Sequence, residues 1–274
     1  MLKIIKRSVL TVSRALGYDI MPLRDVGERD FAIHLRTLFA AFDIDCVLDV
    51  GANTGQYRDF LRERVPYRGP IVSFEPVAHN VRILQERAAG DSRWTIEGYA
   101  LGSANGSSTL NVSNESQFSS FLEPSRSSGT SYIATLVATD HTETVAVKTL
   151  DEVLRPLQER LAFRRPYLKI DTQGYDLEVL RGAASSLPCI PALQTEASVI
   201  AVYKGMPSYT DTITFLNQQG FAISGLYPVA RDPRLRLLEF DCVMVNEALP
   251  QQEHVQQEHV TSDQAGPLTS LPAA

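Results

Sequence analysis

The chain has 274 residues, 44% of them hydrophobic, and its 32 acidic against 26 basic side chains leave a net charge of −6. That apolar share can build the core of one large or two small domains, and the acidic balance, with no dominant basic stripe, excludes nucleic acid as the expected partner. Cys46, Cys189 and Cys242 lack the close spacing of a zinc site and are expected as buried free thiols in a reducing, cytoplasmic setting; no apolar run is long enough to span a membrane.

Leu2, Ile5, Val9, Val12 and Leu16 recur at helical spacing beside Lys3, Lys6, Arg7 and Arg14, so residues 1–28 are expected to be a basic amphipathic helix and a linker. It either packs on its own domain or makes weak peripheral contact with an anionic membrane face. Helical spacing of apolar residues over 31–42 precedes an apolar strand at 46–50. A helix over 55–65, a strand at 71–74, a helix over 78–89 and a strand at 94–100 follow, the alternation of right-handed crossovers on a parallel sheet.

The rhythm changes over 103–147: strand-like 108–112, a Ser/Thr-rich stretch over 113–142, then strand-like 143–148. This excursion is expected either to cover a site as a lid or to be a mobile loop. Alternation then resumes with helices over 150–161, 174–187 and 209–219 and strands at 167–170, 192–195 and 221–226. The last run, 236–245, follows a turn too short for a crossover helix, so it should pair antiparallel. The domain is therefore expected over 29–246, as a doubly wound α/β, Rossmann-like sheet, mostly parallel with an antiparallel last strand. Residues 247–274, with their tandem QQEHV repeat, read as a disordered tail.

The strongest local signal is VLDVGANTG at 47–55, a buried strand, a tight turn and a helix start. Gly51 permits close backbone approach, Asn53 tolerates left-handed angles, and Gly55 lets the next helix pack near the strand. Glu75 ends the second strand, twenty residues beyond Gly55, where a carboxylate can accept both hydroxyls of an adenosine ribose. Together they imply a nucleoside ligand. Asp49 suits a ligand with an ammonium group better than a pyrophosphate, and the antiparallel last strand points the same way.

At this point the chain resembles the FkbM-type S-adenosylmethionine-dependent methyltransferases. The matching stretches, in family order, are VLDVGANTG, SFEPVAHN at 73–80, YALGS at 99–103, VKTLDEVL at 147–154, YLKIDTQGYDLEVLRG at 167–182, LQTEAS at 193–198 and FDCVMVN at 240–246. The resemblance implies S-adenosyl-L-methionine as cofactor, with Asp49, Gly51, Asn53 and Gly55 around its methionine part, Glu75 at the ribose, and Asn80 and Leu101 near the adenine. Gln173 departs from the family, which more often places an acid there.

Methyl transfer to oxygen needs an acceptor held in line and a base for its proton. Acids at the carboxyl ends of the strands are the candidates: Asp171 as base or orienting group, unless it only caps the following helix, with Glu196 and Asp241 converging on it. The three acids could alternatively hold a magnesium or calcium ion, but no closely spaced ligand set supports this, so no metal site is assigned. His141 is expected as an exposed loop residue, and Lys169 carries no assigned chemistry. The expected function is O-methylation of a hydroxyl on a sugar, glycolipid or other small natural product. A nicotinamide-dependent oxidoreductase and a noncatalytic nucleoside-binding module are the alternatives; the residues leave oligomeric state open.

Overall fold

The computed structural model describes residues 27–125 and 137–251; the expected N-terminal amphipathic helix and most of the expected C-terminal tail lie outside these. Helix α1 (Arg29–Ala41) leads into β1 (Cys46–Val50), α2 (Gln56–Glu63), β2 (Ile71–Phe74), α3 (Ala78–Ala88) and β3 (Trp94–Glu97). The excursion supplies β4 (Ala100–Leu101), β5 (Gly106–Ser113) and β6 (Thr139–Lys148). Then come α4 (Leu150–Leu161), β7 (Pro166–Ile170), α5 (Asp176–Arg181), β8 (Ala192–Ser198), α6 (Tyr209–Gln218), β9 (Phe221–Arg231) and β10 (Leu237–Asn246).

Seven strands form one sheet in the order β3-β2-β1-β7-β8-β10-β9. Strands β3, β2, β1, β7 and β8 are mutually parallel, and β10 runs antiparallel to both β8 and β9. This is the expected α/β sheet, with its antiparallel strand inserted beside the edge. Period-two alternation sorts the side chains. Leu48, Val72, Leu168, Leu193 and Cys242 face a core closed by α4, α5 and α6. Val47, Ile71, Tyr167, Ala192 and Val243 face a second core closed by α1, α2 and α3.

Local chemistry sets the helix starts. Thr149 accepts the Glu152 amide at the head of α4, and Ser208 and Asp211 form a reciprocal capping box at α6. Helix α2 opens on Gly55, whose φ of +94° is a left-handed angle suited to glycine.

Four expectations change. The strand expected at 94–100 breaks at Gly98–Tyr99, so β3 joins the large sheet while β4 joins a three-stranded sheet ordered β4-β6-β5. The helix expected over 174–187 is only Asp176–Arg181, because turns follow Gly182 and Pro188 sits in a single 3-10 turn, Leu187–Cys189. On that turn Cys189 is exposed, whereas Cys46 and Cys242 are buried as expected. Strand β9 continues past residue 226 to Arg231, since β10 pairs with it throughout that length.

The small sheet packs back on the domain at a backbone-to-backbone contact. A Cβ on Gly182 would stand 1.9 Å from the Gly102 carbonyl oxygen, whereas one on Gly98 would meet the Val81 methyls at 3.6 and 3.8 Å, ordinary contact. Gly182→Ala is therefore expected to cost about 1–3 kcal/mol, as overpacking does, and Gly98→Ala less than about 0.5 kcal/mol, as neutral substitutions do. Urea denaturation of the two variants compares them directly.

Candidate active site

A cavity of about 560 Å³ opens at the carboxyl ends of β1, β2, β7 and β8. Its floor is a row of polar side chains running across the sheet on the face toward α1 and α2. Register places Ser73, Asp49, Lys169 and Gln194 side by side on β2, β1, β7 and β8. Trp94 Nε1 donates to Ser73 Oγ at 3.0 Å, and Ser73 Oγ donates to Asp49 Oδ2 at 3.0 Å. Lys169 Nζ lies 3.2 Å from Asp49 Oδ1 and 3.5 Å from Asp171 Oδ2, and it donates to the Gly51 carbonyl at 3.3 Å. Tyr57 OH donates to Gln194 Oε1 at 2.9 Å. Burial opposes the Lys169 ammonium, but Asp49 and Asp171 outweigh it and hold its pKa above the ordinary lysine value.

At one end stands Glu75, 4% exposed. The Asn53 amide donates to Glu75 Oε2 at 2.8 Å, the Val77 amide to Oε1 at 2.9 Å, and Asn80 Nδ2 to Oε1 at 3.4 Å. A carboxylate has about four acceptor positions, so acceptor capacity is left toward the cavity that Glu75 lines. Burial pushes its carboxyl up to about 7, against the downward pull of the Val77 and Asn53 amides. Phe74, Val77, Leu101 and Leu110 make this end apolar, and Ser116 and Gln117 of the excursion close it.

At the other end three acids meet, and Glu196 and Asp241 lie opposite each other in register on β8 and β10. Gln173 Nε2 donates to Asp171 Oδ1 at 3.2 Å and to Glu196 Oε2 at 3.0 Å, bridging the two. Burial, then repulsion from Asp171, holds Glu196 well above the usual carboxylate range. Burial raises Asp241 to about 6, with Gln194 pulling it down and Asp171 adding repulsion. Phe31, Tyr57, Phe60 and Tyr227 wall this end with aromatic faces, Phe31 stacking on Phe60 at 5.3 Å between ring centroids. Among the described residues, no group of three or more His, Cys, Asp or Glu is disposed to hold a metal ion.

The cavity thus brings together Gly51, Asn53, Glu75, Leu101, Asp171, Glu196 and Asp241. Asn53 adopts the left-handed backbone anticipated for it, with φ +47°. Asp49, Gly55 and Asn80 stand behind the wall instead. Asp49 is fully buried, its Oδ2 accepting from Ser73 and its Oδ1, which has no hydrogen-bond partner, facing the Lys169 ammonium at 3.2 Å. Gly55 is where a Cβ would strike the Trp94 ring at 2.7 Å. Gly51 serves a close approach of a different kind: its missing Cβ admits the Asp171 carbonyl, which would otherwise be 1.9 Å away. The helix-capping role is corrected, since α5 starts at Asp176 and Asp176 Oδ1, not Asp171, accepts the Thr172 amide at 2.8 Å.

Sequence reasoning missed Lys169, Gln194 and Tyr57. The available signal was a lysine and an aspartate at matching positions of two otherwise apolar strands, KID and LDV. It also left open the excursion, whose described part is docked. Ser120 Oγ donates to the Gln173 carbonyl at 2.7 Å, Tyr203 OH to the Phe118 carbonyl at 2.8 Å, and the Ser125 amide to the Val202 carbonyl at 2.9 Å. Residues 126–136 of that stretch lie outside the described residues. His141 is exposed on β6 between Asp140 and Glu143, away from the cavity.

A methyltransferase FkbM domain model matches residues 49–223. No curated protein matches the chain significantly in sequence. Similar solved structures include an FkbM methyltransferase from Methylobacillus flagellatus KT, 18% identical with a TM-score of 0.45, covering 74% of this chain; the chain spans 44% of that protein's length. A putative tRNA methyltransferase from Streptococcus pneumoniae, in complex with S-adenosyl-L-methionine, is 10% identical with a TM-score of 0.43, covering 78% of this chain and 71% of that one. A putative O-methyltransferase from Klebsiella pneumoniae is 14% identical with a TM-score of 0.43, covering 88% and 89%. The matched stretch runs from Asp49 under the cavity floor to Ile223 in β9 and takes in Glu75, Asp171 and Glu196, so the chain belongs to the FkbM methyltransferase family.

Proposed function

We propose that the protein is an S-adenosylmethionine-dependent O-methyltransferase acting on a hydroxyl of a sugar, glycolipid or other small natural product. The observation that carries this reading is one cavity lined at one end by Glu75 and at the other by Asp171, Glu196 and Asp241. When bound, S-adenosylmethionine supplies a methyl group on a cationic sulfonium, open to in-line attack by oxygen. Glu75 accepts ribose hydroxyls, and Phe74, Leu101 and Leu110 offer the apolar surroundings that an adenine ring needs. The acid end suits positive charge, because its one lysine is already engaged by Asp49.

Asp171, held by Lys169 and Gln173, orients the acceptor hydroxyl. Asp241 is the better matched base, since a carboxyl near 6 is ionised at neutral pH yet takes a proton more readily than an ordinary aspartate. Glu196, pushed further up, donates or shares a hydrogen bond with the acceptor. The same carboxyls make a phosphate group inside the cavity unfavourable. A nicotinamide-dependent oxidoreductase fits less well, as a pyrophosphate would face the same acids.

Methyl-label transfer to a panel of sugars and glycolipids tests the activity; cofactor binding with no transfer to any acceptor would favour a noncatalytic module. Asp241→Asn is expected to lower kcat by about 10²–10⁴, the usual contribution of a general base, and to abolish a rise of kcat/KM with pH through about 6. Asp171→Asn is expected to act mainly on acceptor KM.

Glu75→Gln is expected to weaken adenosylhomocysteine binding by about 1.5–3 kcal/mol, ten- to hundred-fold, as losing a charged hydrogen-bond acceptor does. Titration calorimetry measures it. The acceptor role needs the ionised form, so wild-type affinity should tighten as pH rises through about 7 while the variant's stays flat. Stability of the ligand-free protein moves the other way. The folded state holds the Glu75 proton up to about 7 and the unfolded chain only to about 4.5, so this contribution is full below 4.5 and is lost as pH rises through 7. At most it is about 3 kcal/mol, and melting curves of wild type and Glu75→Gln across that interval read the difference.

A further inference from the structure

The side-chain donors of Lys169, Gln173, Gln194, Tyr57 and Tyr227, around the acid end of the cavity, are all committed to the protein itself. Lys169 Nζ faces Asp49 and Asp171 and donates to the Gly51 carbonyl, and Gln173 Nε2 gives its hydrogens to Asp171 and Glu196. Gln194 donates to Asp241, Tyr57 OH donates to Gln194 Oε1 at 2.9 Å, and Tyr227 OH shares a hydrogen bond with His34 Nδ1 at 2.7 Å. Against these spent donors stand the carboxylates of Asp171, Glu196 and Asp241, which line the same space. An ionised carboxylate only accepts, so this end asks a ligand for hydrogens. A neutral hydroxyl, which must accept as well as donate, meets half of that demand; an ammonium, donor-only and cationic, meets all of it.

The opposite wall suits the same group. Register carries the row from Glu196 through Asp241 to Tyr227 on β9, and there the lining becomes aromatic. Tyr227 and Phe31 lie 4.7 Å apart between ring centroids, Phe31 stacks on Phe60 at 5.3 Å, and Phe60 on Tyr57 at 5.9 Å. With their hydroxyls engaged elsewhere, the two tyrosines contribute rings. Lys169 Nζ already stands 5.3 Å from the Tyr57 ring centroid, which leaves Tyr227, Phe31 and Phe60 to attract a further cation through their π faces. Among the described lining residues Lys169 is the one basic side chain, and its charge is paired with Asp49.

We propose that this end is the acceptor subsite and takes an amino alcohol, such as an amino sugar, whose reacting hydroxyl lies beside a protonated amine held between Glu196 and the rings of Tyr227, Phe31 and Phe60. The inference rests on the methyl-transfer reading and narrows its substrate class. In the step itself the sulfur–methyl bond breaks with its electron pair staying on sulfur, the acceptor oxygen forms the new bond to carbon, and the hydroxyl proton passes to Asp241. The sulfonium loses its charge in that step, whereas the acceptor's ammonium keeps its own and still answers Glu196 in the product.

Titration calorimetry on the full chain saturated with adenosylhomocysteine compares racemic trans-2-aminocyclohexanol with trans-cyclohexane-1,2-diol, in which a hydroxyl replaces the ammonium. At neutral pH the amine is expected to bind about ten-fold more tightly. Glu196→Gln should lower that preference about ten-fold, and Phe31→Leu, which keeps an apolar side chain but no π face, about two- to five-fold. A merely structural role for either residue would weaken both probes alike and leave their ratio unmoved. Equal or tighter binding of the diol, no binding of the amine, or an unmoved ratio in both variants would overturn the inference while adenosylhomocysteine binding keeps the methyl-transfer reading in place; absence of adenosylhomocysteine binding overturns both.

Discussion

The buried contact between Lys169 and Asp49 is the constraint on which the site depends. Both groups are almost wholly removed from water, and removing one partner from such a pair leaves an uncompensated charge at a cost of about 3–5 kcal/mol. The pair sits where β1 and β7 lie in register. It thereby fixes the two loops that leave those strands, since the same ammonium reaches the Gly51 carbonyl and Asp171. Trp94 and Ser73 extend the fixed row to β3 on one side, and Gln194 extends it to β8 on the other. The cavity floor is a row of polar side chains laid across the sheet, joined by hydrogen bonds from Trp94 to Asp49 and by the ion pair of Asp49 with Lys169.

Much of this was legible in the chain because its signals are local. Alternation of strand and helix, a glycine turn after an apolar strand, and a last strand too close to its predecessor for a crossover each depend on a few adjacent residues. What was hidden depends on pairing between distant strands. Nothing within YLKID tells that Lys169 faces Asp49, because that needs the register of β7 on β1. The same holds for Asp49, which reads as an exposed ligand group until its partner strands are placed. The strand-like ends of the excursion at 108–112 and 143–148 were legible; their extension to the full β5 and β6 comes from mutual antiparallel pairing, which their mostly exposed side chains do not signal.

Gln173 shows how a departure from a family pattern can be read physically. An acid at that position would stand within hydrogen-bond reach of Asp171 and Glu196 and add a third negative charge to two carboxyls already crowded. The amide instead donates to both, while its own oxygen lies 3.3 Å from Tyr203 OH. Its φ of +51° is a left-handed angle that places the side chain across the gap, at a strain held by Ser120 on its carbonyl. The excursion is thereby joined to the acids by one chain of hydrogen bonds, from Ser120 through Gln173 to Asp171 and Glu196.

The two ends of the cavity are also linked through charge. Glu75, Glu196 and Asp241 are all raised chiefly by desolvation, with neighbouring carboxylates adding to it. In the ligand-free protein each therefore holds its proton to a higher pH than an ordinary carboxyl does. A cation entering it favours their ionised forms and is bound more tightly for doing so, whereas an anion such as a pyrophosphate would push them further toward protonation. Because Lys169 is held by Asp49, it cannot turn to neutralise such an anion. The sulfonium cofactor proposed for this cavity fits that charge balance better than a dinucleotide does, because the lysine lining it is already paired with Asp49.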